Sequence, residues 1–365
     1  MSEINTIAPL DLFEKVAALI EESRKRVATA VNTEMVYTHY EIGRYIVEDE
    51  QNGEARAKYG KKVLKMLSSY LISKYGRGWS VESLTQSRKF YLTYSKIVNS
   101  DYEIQISNTL EKNRKQCLQN STIVAPKFIL SWSHYLILMR IENPQERRFY
   151  EIECARQNWN SRYLQRQYAS SLYERLALSR DKDHVMRLAQ EGQTIEKPED
   201  IIKNPLTLEF VGLKPEAAYT ESTLESAIID KLQMFLMEMG RGFLFEARQK
   251  RFTFDEDNYY VDLVLYNRLL QCYVLVDLKI DKLTHQDLGQ MQMYVNYYDR
   301  HVIEPFEKPT IGILLCKEKN DALVELTLPK DAHIYAQQYK LCLPDKALLE
   351  EKLREWIAEF DEKQK

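Results

Sequence analysis

The sequence predicts an α+β protein in which a helical N-terminal domain precedes a C-terminal α/β domain. Three observations predict this class. Apolar residues recur at helical spacing through residues 1–180, whereas residues 220–365 contain two adjacent runs rich in Val, Leu and Tyr, flanked by amphipathic segments. Between them, residues 181–219 are charged and contain three prolines, which is typical of a linker. We therefore expect a helical binding domain, a linker and an α/β domain over these three ranges.

The composition is that of an ordinary globular protein, with 44% hydrophobic and 29% charged residues over 365 positions. The formal net charge of −3 gives no global basic field, so any nucleic-acid surface has to be local. No apolar signal segment and no stretch of about 18 apolar residues is present, so we expect a cytoplasmic protein without a membrane partner. Five scattered cysteines without a CxxC pair predict reduced thiols rather than disulfides or a zinc site.

Four helices are predicted in the first 95 residues. Their apolar residues fall at i, i+3 and i+4, and a glycine-containing turn separates the last two helices. Ser80 is placed to cap the fourth helix, and Glu82 suits its first turn. The predicted helices are Leu10–Ala30, Val36–Asp49, Gly60–Lys74 and Val81–Tyr94.

The last two of these helices form the outline of a helix-turn-helix, in which the second helix contacts DNA. On that helix Gln86, Arg88 and Lys89 are the candidate groove or phosphate contacts. Two amphipathic helices joined by a glycine turn also occur in bundles that bind nothing and in small dimerisation units. The sequence leaves these alternatives open.

Residues 100–126 are polar and predict a loop. Two further helices are predicted around Asn143-Pro144, over residues 132–150 and 152–178. The second carries arginines interleaved with tyrosines and a tryptophan. This pattern is typical of a surface that tracks phosphates, and equally of a solvated helix with a packed aromatic face.

The C-terminal domain is predicted to combine helices and strands around a β-hairpin. Its two apolar runs flank Asn267-Arg268-Leu269-Leu270, whose length and composition predict the hairpin turn. The predicted elements are helix Glu221–Met239, strand Phe243–Phe254, hairpin Tyr259–Lys279, helix His285–Tyr298, strands Thr310–Cys316 and Ala332–Leu341, and helix Lys346–Glu359.

The hairpin is where we expect the chemistry. If the turn is centred between Leu269 and Leu270, opposite residues have numbers that sum to 539, so Asp262 faces Asp277. Alternation along the strands places Lys279 on the same side as this pair and gives the other side a wholly apolar face. The predicted apolar face consists of Val261, Leu263, Leu265, Val274, Val276, Leu278 and Ile280.

Two carboxylates that face each other destabilise a hairpin unless a cation neutralises them. Carboxylate oxygens are preferred ligands of Mg²⁺, whose shell is completed by waters and substrate phosphates. Lys279 beside such an ion would position a water or offset charge on a phosphate. The pattern therefore favours metal-assisted phosphodiester hydrolysis, although an isolated Asp-x-Lys strand is also typical of a solvated sheet face.

Further candidates flank the hairpin. Glu225 borders the apolar stripe of the preceding helix and would reach inward, while the helix dipole by itself also favours a glutamate near a helix start. Gln290 and Tyr294 share a helix face at i, i+4, where ordinary packing is the alternative. The candidate nucleic-acid contacts on the intervening strand are Arg248, Gln249 and Arg251.

The order of these elements resembles the PD-(D/E)xK, or restriction-endonuclease-like, nuclease fold. More narrowly, the chain resembles the bacterial YhcG family, in which a PD-(D/E)xK nuclease domain follows a helical N-terminal domain. The resemblance covers most of the chain and is specific in the C-terminal half. It rests on WSVESLTQSRKFY at Trp79–Tyr91, RQKRF at Arg248–Phe252, YYVDLVLYN at Tyr259–Asn267, VDLK at Val276–Lys279 and GQMQMYVNYYD at Gly289–Asp299.

The resemblance implies a role for each matching residue. Asp262 and Asp277 would hold the metal, with Glu225 as a helical acid near it and Lys279 as the catalytic lysine. Position 277 is Asp where relatives are expected to carry Glu, so the ion would lie slightly closer to the strand. An accessory motif that some exonuclease branches use near a DNA end would consist of Gln290 and Tyr294.

We therefore predict a metal-dependent nuclease that hydrolyses DNA phosphodiester bonds with Mg²⁺ or Mn²⁺, aided by an N-terminal region that binds DNA or dimerises. A homodimer is expected because an enzyme that cuts a duplex needs two sites or two steps. The alternative from another class is a DNA-binding or scaffolding protein that retains the nuclease fold without cleaving. RNA is the alternative substrate.

Overall fold

The structure, a computed structural model, describes residues 10–52, 58–95, 128–178, 187–188, 190–214, 218–254, 256–319, 321–329 and 332–363. It divides into two compact units, Met1–Leu164 and Gln165–Lys365. This division precedes the predicted linker at residues 181–219. The predicted loop at residues 100–126 lies outside the described residues.

The N-terminal unit is helical, as predicted. Its first helix runs through both of the first two predicted helices, because residues 31–35 contain neither glycine nor proline to interrupt it. The helices are α1 (Leu10–Asn52), α2 (Lys58–Tyr75), α3 (Val81–Tyr94), α4 (Trp132–Leu138), α5 (Pro144–Gln157) and α6 (Ser161–Ala169), the last of which crosses the division between the units.

Helix α3 has the boundaries that the sequence predicts, and Ser80 caps it by accepting a hydrogen bond from Ser83 N at 3.2 Å. Helices α2 and α3 are joined by a short turn that contains Gly76 and Gly78, both with positive φ. The predicted helix over residues 132–150 is interrupted, since Asn143 caps a new helix that starts at Pro144.

In the described part of the C-terminal unit, six strands form a sheet that helices cover. The predicted helix Glu221–Met239 is two helices, because the backbone leaves helical geometry at Lys231 (φ −117°). The elements are α7 (Leu172–Leu178), β1 (Leu206–Thr207), α8 (Glu221–Asp230), α9 (Leu232–Met239), β2 (Phe243–Phe254), β3 (Asp257–Asn267), β4 (Cys272–Lys282), α10 (His285–His301), β5 (Ile311–Glu318), α11 (Asp321–Thr327), β6 (Ile334–Lys340) and α12 (Lys346–Lys363).

The strands form one mixed sheet in the order β1-β6-β5-β4-β3-β2. Strands β2, β3 and β4 pair antiparallel, whereas β4, β5, β6 and β1 pair parallel. Strand β1 comes from the predicted linker and pairs with β6 through Leu206 and Tyr339. Leu206 and Leu208 are buried in the core, so this part of the predicted linker is integral to the sheet.

The predicted register of the hairpin is confirmed. Leu263 pairs with Val276 and Asn267 with Cys272, so the residue numbers sum to 539 along the paired stretch. The turn itself is Arg268–Gln271, and Asn267 Oδ1 stabilises it by accepting hydrogen bonds from Leu269 N and Leu270 N.

Separate apolar clusters cover the two faces of the sheet. One contains residues of α8, α9 and the alternate positions Leu263 and Leu265 of β3, and the other contains residues of α10 with Val264. The sequence places Val261 on the same face as Leu263, and this prediction is wrong because Val261 packs in the α10 cluster. The alternation of β3 is therefore broken at Asp262.

Arg175, which belongs to the predicted arginine-rich helix, does not lie on a solvated surface. Its side chain is fully buried and ion-paired with Glu238, whose own side chain is also fully buried. Arg166 contacts Glu209 at 2.9 Å. Both arginines are therefore ion-paired within the C-terminal unit, and removal of either partner of the Arg175–Glu238 pair would leave a buried charge uncompensated.

Cys154, Cys272 and Cys316 are buried free thiols and Cys342 is an exposed one, while Cys117 lies outside the described residues. Within the part of the chain that the structure describes, no helix combines the length and apolar character needed to cross a membrane.

Candidate active site

Asp262 and Asp277 lie on neighbouring strands at the position where regular pairing of β3 with β4 stops. The last paired residues are Leu263 and Val276, directly beyond which the two aspartates follow. Asp262 Oδ2 accepts a hydrogen bond of 2.8 Å from Leu278 N, which fixes this carboxylate against β4. The register therefore brings the two predicted metal ligands together.

Asp277 is buried, with only 3% of its surface exposed. The pKa of Asp277 is raised to about 7; burial is the largest cause, the Asp262 carboxylate adds to the increase, and Lys279 opposes it. Lys279 Nζ lies 2.8 Å from Asp277 Oδ2. A buried acid beside a second acid is costly for a folded protein, and such arrangements are concentrated at functional sites.

Lys279 contacts two further acids that the sequence analysis missed. Its Nζ lies 3.7 Å from Asp287 Oδ1 and 3.9 Å from Glu221 Oε2. Burial alone would lower the pKa of Lys279, but Asp277 outweighs it and the pKa is raised. Glu221 lies one helical turn before Glu225, so the i, i+4 spacing could have indicated it. Asp287 occupies position N3 of α10 and completes its capping box, so the residue pattern at the start of the helix could have indicated it.

Glu225 reaches inward from α8, and only 4% of its surface is exposed. Arg248 Nε donates to Glu225 Oε1 at 2.7 Å, and Gln249 Nε2 donates to Glu225 Oε2 at 2.9 Å. Gln249 Nε2 also donates to Asp262 Oδ1 at 2.8 Å. Arg248 and Gln249, both predicted to contact nucleic acid, thus have side chains directed at the acids.

Gln290 and Tyr294 lie on one face of α10 and hydrogen-bond to each other through Gln290 Nε2 and the tyrosine hydroxyl. Tyr294 is buried and packs edge-on against Phe252 of β2. Burial raises the pKa of Tyr294, and the Asp277 carboxylate adds to the increase. The structure therefore places this pair within electrostatic reach of the acids.

The remaining predicted nucleic-acid contacts lie elsewhere. Arg251 is exposed on β2 and donates to Asn258 Oδ1 at 2.9 Å. In the N-terminal unit Lys89 is exposed and Gln86 is half-buried on α3. Arg88 is ion-paired with Glu50 of α1 at 2.7 Å, so a phosphate would compete with this carboxylate.

The acids fit a divalent cation by the chemistry of their atoms. Carboxylate oxygens are the ligands that Mg²⁺ and Mn²⁺ prefer. Asp277 Oδ2 is buried and, among the described residues, no well-angled hydrogen bond satisfies it, although the Lys279 ammonium is close. Each hydrogen-bonded oxygen of Asp262 and Glu225 keeps a second lone pair that can bind an ion.

Comparison with known proteins shows the family of the chain. Residues 199–354 match the family described as the YhcG PDDEXK nuclease domain, and residues 15–175 match the DUF1016 N-terminal domain. The chain is 37% identical over 360 residues to the Escherichia coli (strain K12) protein named "Putative nuclease YhcG", covering 97% of this chain and 96% of that protein.

Two solved structures resemble part of the chain. A repair endonuclease from Pyrococcus abyssi shares 18% identity and covers 35% of this chain and 50% of its own, with a TM-score of 0.24. A chain of an EndoMS–dsDNA2 complex shares 15% identity and covers 36% of this chain and 50% of its own, with a TM-score of 0.25.

The observed fold, the two domain matches and the nearly full-length similarity agree with the architecture that the sequence predicted. The C-terminal unit carries the mixed sheet with flanking helices, and the N-terminal unit is helical. The chain belongs to the YhcG family, whose members combine a DUF1016 N-terminal domain with a PDDEXK nuclease domain.

Proposed function

We propose that the C-terminal unit hydrolyses phosphodiester bonds of DNA with Mg²⁺ or Mn²⁺ bound by Asp262, Asp277 and Glu225. The observation that carries the proposal is the burial of Asp277 next to Asp262, with the Lys279 ammonium 2.8 Å from its carboxylate. Folding alone does not favour this grouping, whereas a divalent cation would neutralise it.

Each side chain has a role that its position supports. A bound divalent cation supplies Lewis-acid polarisation of the phosphate and a water of lowered pKa. Asp262 and Asp277 lie on adjacent strands, and Glu225 of α8 shares the Gln249 amide with Asp262. Lys279, surrounded by three carboxylates, is placed to offset the negative charge that develops on the phosphate and to orient the attacking water.

We assign Gln290 and Tyr294 to substrate positioning near a DNA end or branch. Their hydrogen bond and the burial of Tyr294 fix both groups on the same side of the sheet as Asp277. Arg251, Gln86, Arg88 and Lys89 are proposed to contact phosphates or bases. Their number is small and the net charge is −3, so we expect weak DNA affinity that is best measured at low salt.

The experiment that tests the function is cleavage of linear, nicked, circular and branched DNA, and of RNA, at low salt with Mg²⁺ or Mn²⁺. Wild type is compared with Asp277→Asn and Lys279→Ala. We expect each variant to bind substrate and to cut it about 100-fold to 1,000-fold more slowly, which is the size of losing one electrostatic contact to the transition state. Lys282→Ala, an exposed lysine on the same strand, serves as the matched control and should cut normally.

The outcomes separate the alternatives. Binding of DNA without cleavage under any metal would favour a scaffolding protein with a nuclease fold. Cleavage of RNA but not DNA would correct the substrate class while preserving the site. Equal rates for Lys279→Ala and Lys282→Ala would remove Lys279 from the mechanism.

We further propose that the protein acts as a homodimer through α1. Large apolar side chains of this helix are 45–66% exposed, although a helix of a globular protein normally buries such a stripe. Further along the same helix, α1 and α2 enclose an apolar groove of about 520 Å³. The exposed side chains are Phe13, Val16, Leu19, Ile20, Val27, Val31 and Met35.

The spacing of the apolar residues on α1 fits a second, antiparallel copy. Positions whose numbers sum to 62 lie opposite each other, with Val31 on the two-fold axis. The apolar pairs are Val27 with Met35, Ile20 with Ile42 of the groove and Val16 with Ile46, whereas Phe13 meets Asp49 and Leu19 meets Gly43. The charged position of the stripe, Arg24, pairs with its polar position, Thr38. A two-fold interface requires a self-complementary surface of this kind.

A further inference from the structure

We propose that Gln249 is a positioning residue of the nuclease site, which holds Asp262 and Glu225 in place for the metal ion through a single amide group. The inference rests on the function proposed above. It replaces the interpretation of Gln249 as a nucleic-acid contact, because its side chain is already directed at the two acids.

The Gln249 amide contacts both acids. Gln249 Nε2 lies 2.8 Å from Asp262 Oδ1 and 2.9 Å from Glu225 Oε2, so its two hydrogens serve one carboxylate each. Asp262 is on β3 and Glu225 on α8, which makes this amide a direct link between strand and helix. The other oxygens of these acids are held by Leu278 N and Arg248 Nε.

The backbone conformation of Gln249 also points to a functional role. Gln249 has φ of 46°, a left-handed conformation that side-chain-bearing residues rarely adopt, and it adopts it inside strand β2. The neighbours of Gln249 pair regularly, Arg248 with Leu263 and Lys250 with Val261, which places Gln249 across from Asp262. Backbone strain of this kind persists where the surroundings impose it, and it is concentrated at functional sites.

The two irregularities coincide. Val261 and Leu263 pack in opposite apolar clusters, so β3 departs from alternation at Asp262, directly across from the strained residue of β2. This paired distortion turns both side chains towards Glu225. Regular strands would leave the Gln249 amide and the Asp262 carboxylate on the sheet face that alternation dictates, away from the helix.

The chemistry of the amide fits positioning rather than coordination. An amide N–H donor neutralises part of the repulsion between two carboxylates without adding charge, and it leaves one lone pair free on each oxygen that it contacts. Groups that orient metal ligands in this way typically contribute 10-fold to 100-fold to metal affinity. Gln249 therefore sets the ligand geometry before the ion arrives.

The test compares Gln249→Gly with Gln249→Ala. Both variants lose the amide, but only glycine adopts the positive φ without strain. We expect both to bind Mn²⁺ or Mg²⁺ about 10-fold to 100-fold more weakly in calorimetric titrations of the full chain, with a parallel loss of cleavage. Glu256→Gly is the matched control, because Glu256 is an exposed residue with φ of 68° in the β2–β3 turn.

Thermal unfolding without metal distinguishes positioning from a merely structural role. The glycine variant should unfold at a temperature no lower than the alanine variant while sharing its weak metal binding. The proposal would be overturned if metal affinity followed thermal stability across the variants. It would also be overturned if the Gln249 variants bound metal as tightly as wild type or more tightly, since tighter binding would mean that Gln249 competes with the ion. Absence of metal binding by wild type would instead contradict the proposed function itself.

Discussion

The candidate active site and helix α1 depart from ordinary burial in opposite directions. The C-terminal unit buries charge, with Asp277 3% exposed beside Asp262, while the N-terminal unit exposes apolar surface, with Val27 62% exposed on α1. Buried like charges and exposed apolar stripes both raise the free energy of the isolated protein. The difference is the one that the proposed function requires, in which a divalent cation completes the acidic site and a second copy of the chain covers the apolar side chains of α1.

The interiors of the units should also differ in their tolerance of added volume. A Cβ on Gly43 of α1 would lie 2.1 Å from the Ser87 carbonyl oxygen of α3, and backbone atoms cannot yield cheaply. A Cβ on Gly312 would lie 2.7 Å from Met291 Cγ and Sδ, in a flexible side chain. We expect Gly43→Ala to lower the free energy of unfolding by about 3 kcal/mol and Gly312→Ala by about 1 kcal/mol.

Urea unfolding measures both variants in one series. Tryptophan fluorescence reports mainly on the N-terminal unit, which contains Trp79, Trp132 and Trp159, whereas circular dichroism reports on both units. Equal losses in the two variants would show that the helices α1 and α3 separate more easily than their close approach indicates.

Replacing the buried acid should stabilise the C-terminal unit when metal is removed. Asp277 has a folded pKa of about 7, above its usual value of 3.8, so its contribution to stability is present at pH below about 4 and is lost as the pH rises through 7. With a chelator at pH 8, Asp277→Asn should unfold with a free energy about 2 kcal/mol higher than wild type.

The stabilisation has two internal checks. The advantage of the asparagine variant should shrink as the pH is lowered from 8 towards 4. Added Mg²⁺ should then stabilise wild type and leave Asp277→Asn almost unchanged, because ions that bind only the folded state raise stability by mass action. If Mg²⁺ raised the melting temperature of both proteins equally, the ion would bind elsewhere.

The N-terminal unit should respond to pH in the opposite direction. Burial lowers the pKa of His39 from 6.5 to about 4, and the ring stacks on Trp132 at 4.0 Å and hydrogen-bonds with Ser87 Oγ at 2.8 Å. A histidine that is neutral when folded supports stability above pH 6.5, and this support is lost as the pH falls towards 4. Burial also lowers the pKa of His134, which acts in the same direction.

We expect a loss of about 2 kcal/mol from His39 across this window, measured by Trp fluorescence in urea at pH 7, 6, 5 and 4. His39→Gln should lose less stability than wild type over the same window, whatever its stability at pH 7. A variant that follows the wild-type curve would assign the acid sensitivity to other groups.

The smallest expected effect is on association through α1. Val31→Glu places a charge on the proposed two-fold axis, whereas Thr29→Glu places the same charge on the opposite side of the helix. By sedimentation, we expect wild type and Thr29→Glu to be dimers and Val31→Glu to dissociate at least 10-fold more readily, a change of about 1.4 kcal/mol.

A cross-link gives the orientation of the two helices. In a variant with Cys117 and Cys342 replaced by serine, Val31→Cys should form a disulfide with its own counterpart on oxidation, because it lies on the axis. Ile20→Cys should do so only together with Ile42→Cys. A monomeric wild-type protein would leave α1 to a different partner and would contradict the dimer.

Part of the fold, and the hairpin that carries the two aspartates of the site, could be predicted from local sequence patterns. Alternation with a short turn set the Asp262–Asp277 pairing, and the turn depends on Asn267, whose side chain closes it. Ser80 set the start of α3 in the same local way. Features of this kind depend on neighbours a few residues apart, which a sequence displays directly.

By itself, the sequence determined the helical and α/β halves, the hairpin register and the acids on it. Tertiary structure alone decided that residues 206–207 join the sheet, that Glu221 and Asp287 surround Lys279, and that Gln249 turns to link Asp262 with Glu225. The reason is distance along the chain: these contacts join residues 8 to 133 positions apart, and sequence periodicity carries no record of which segments meet.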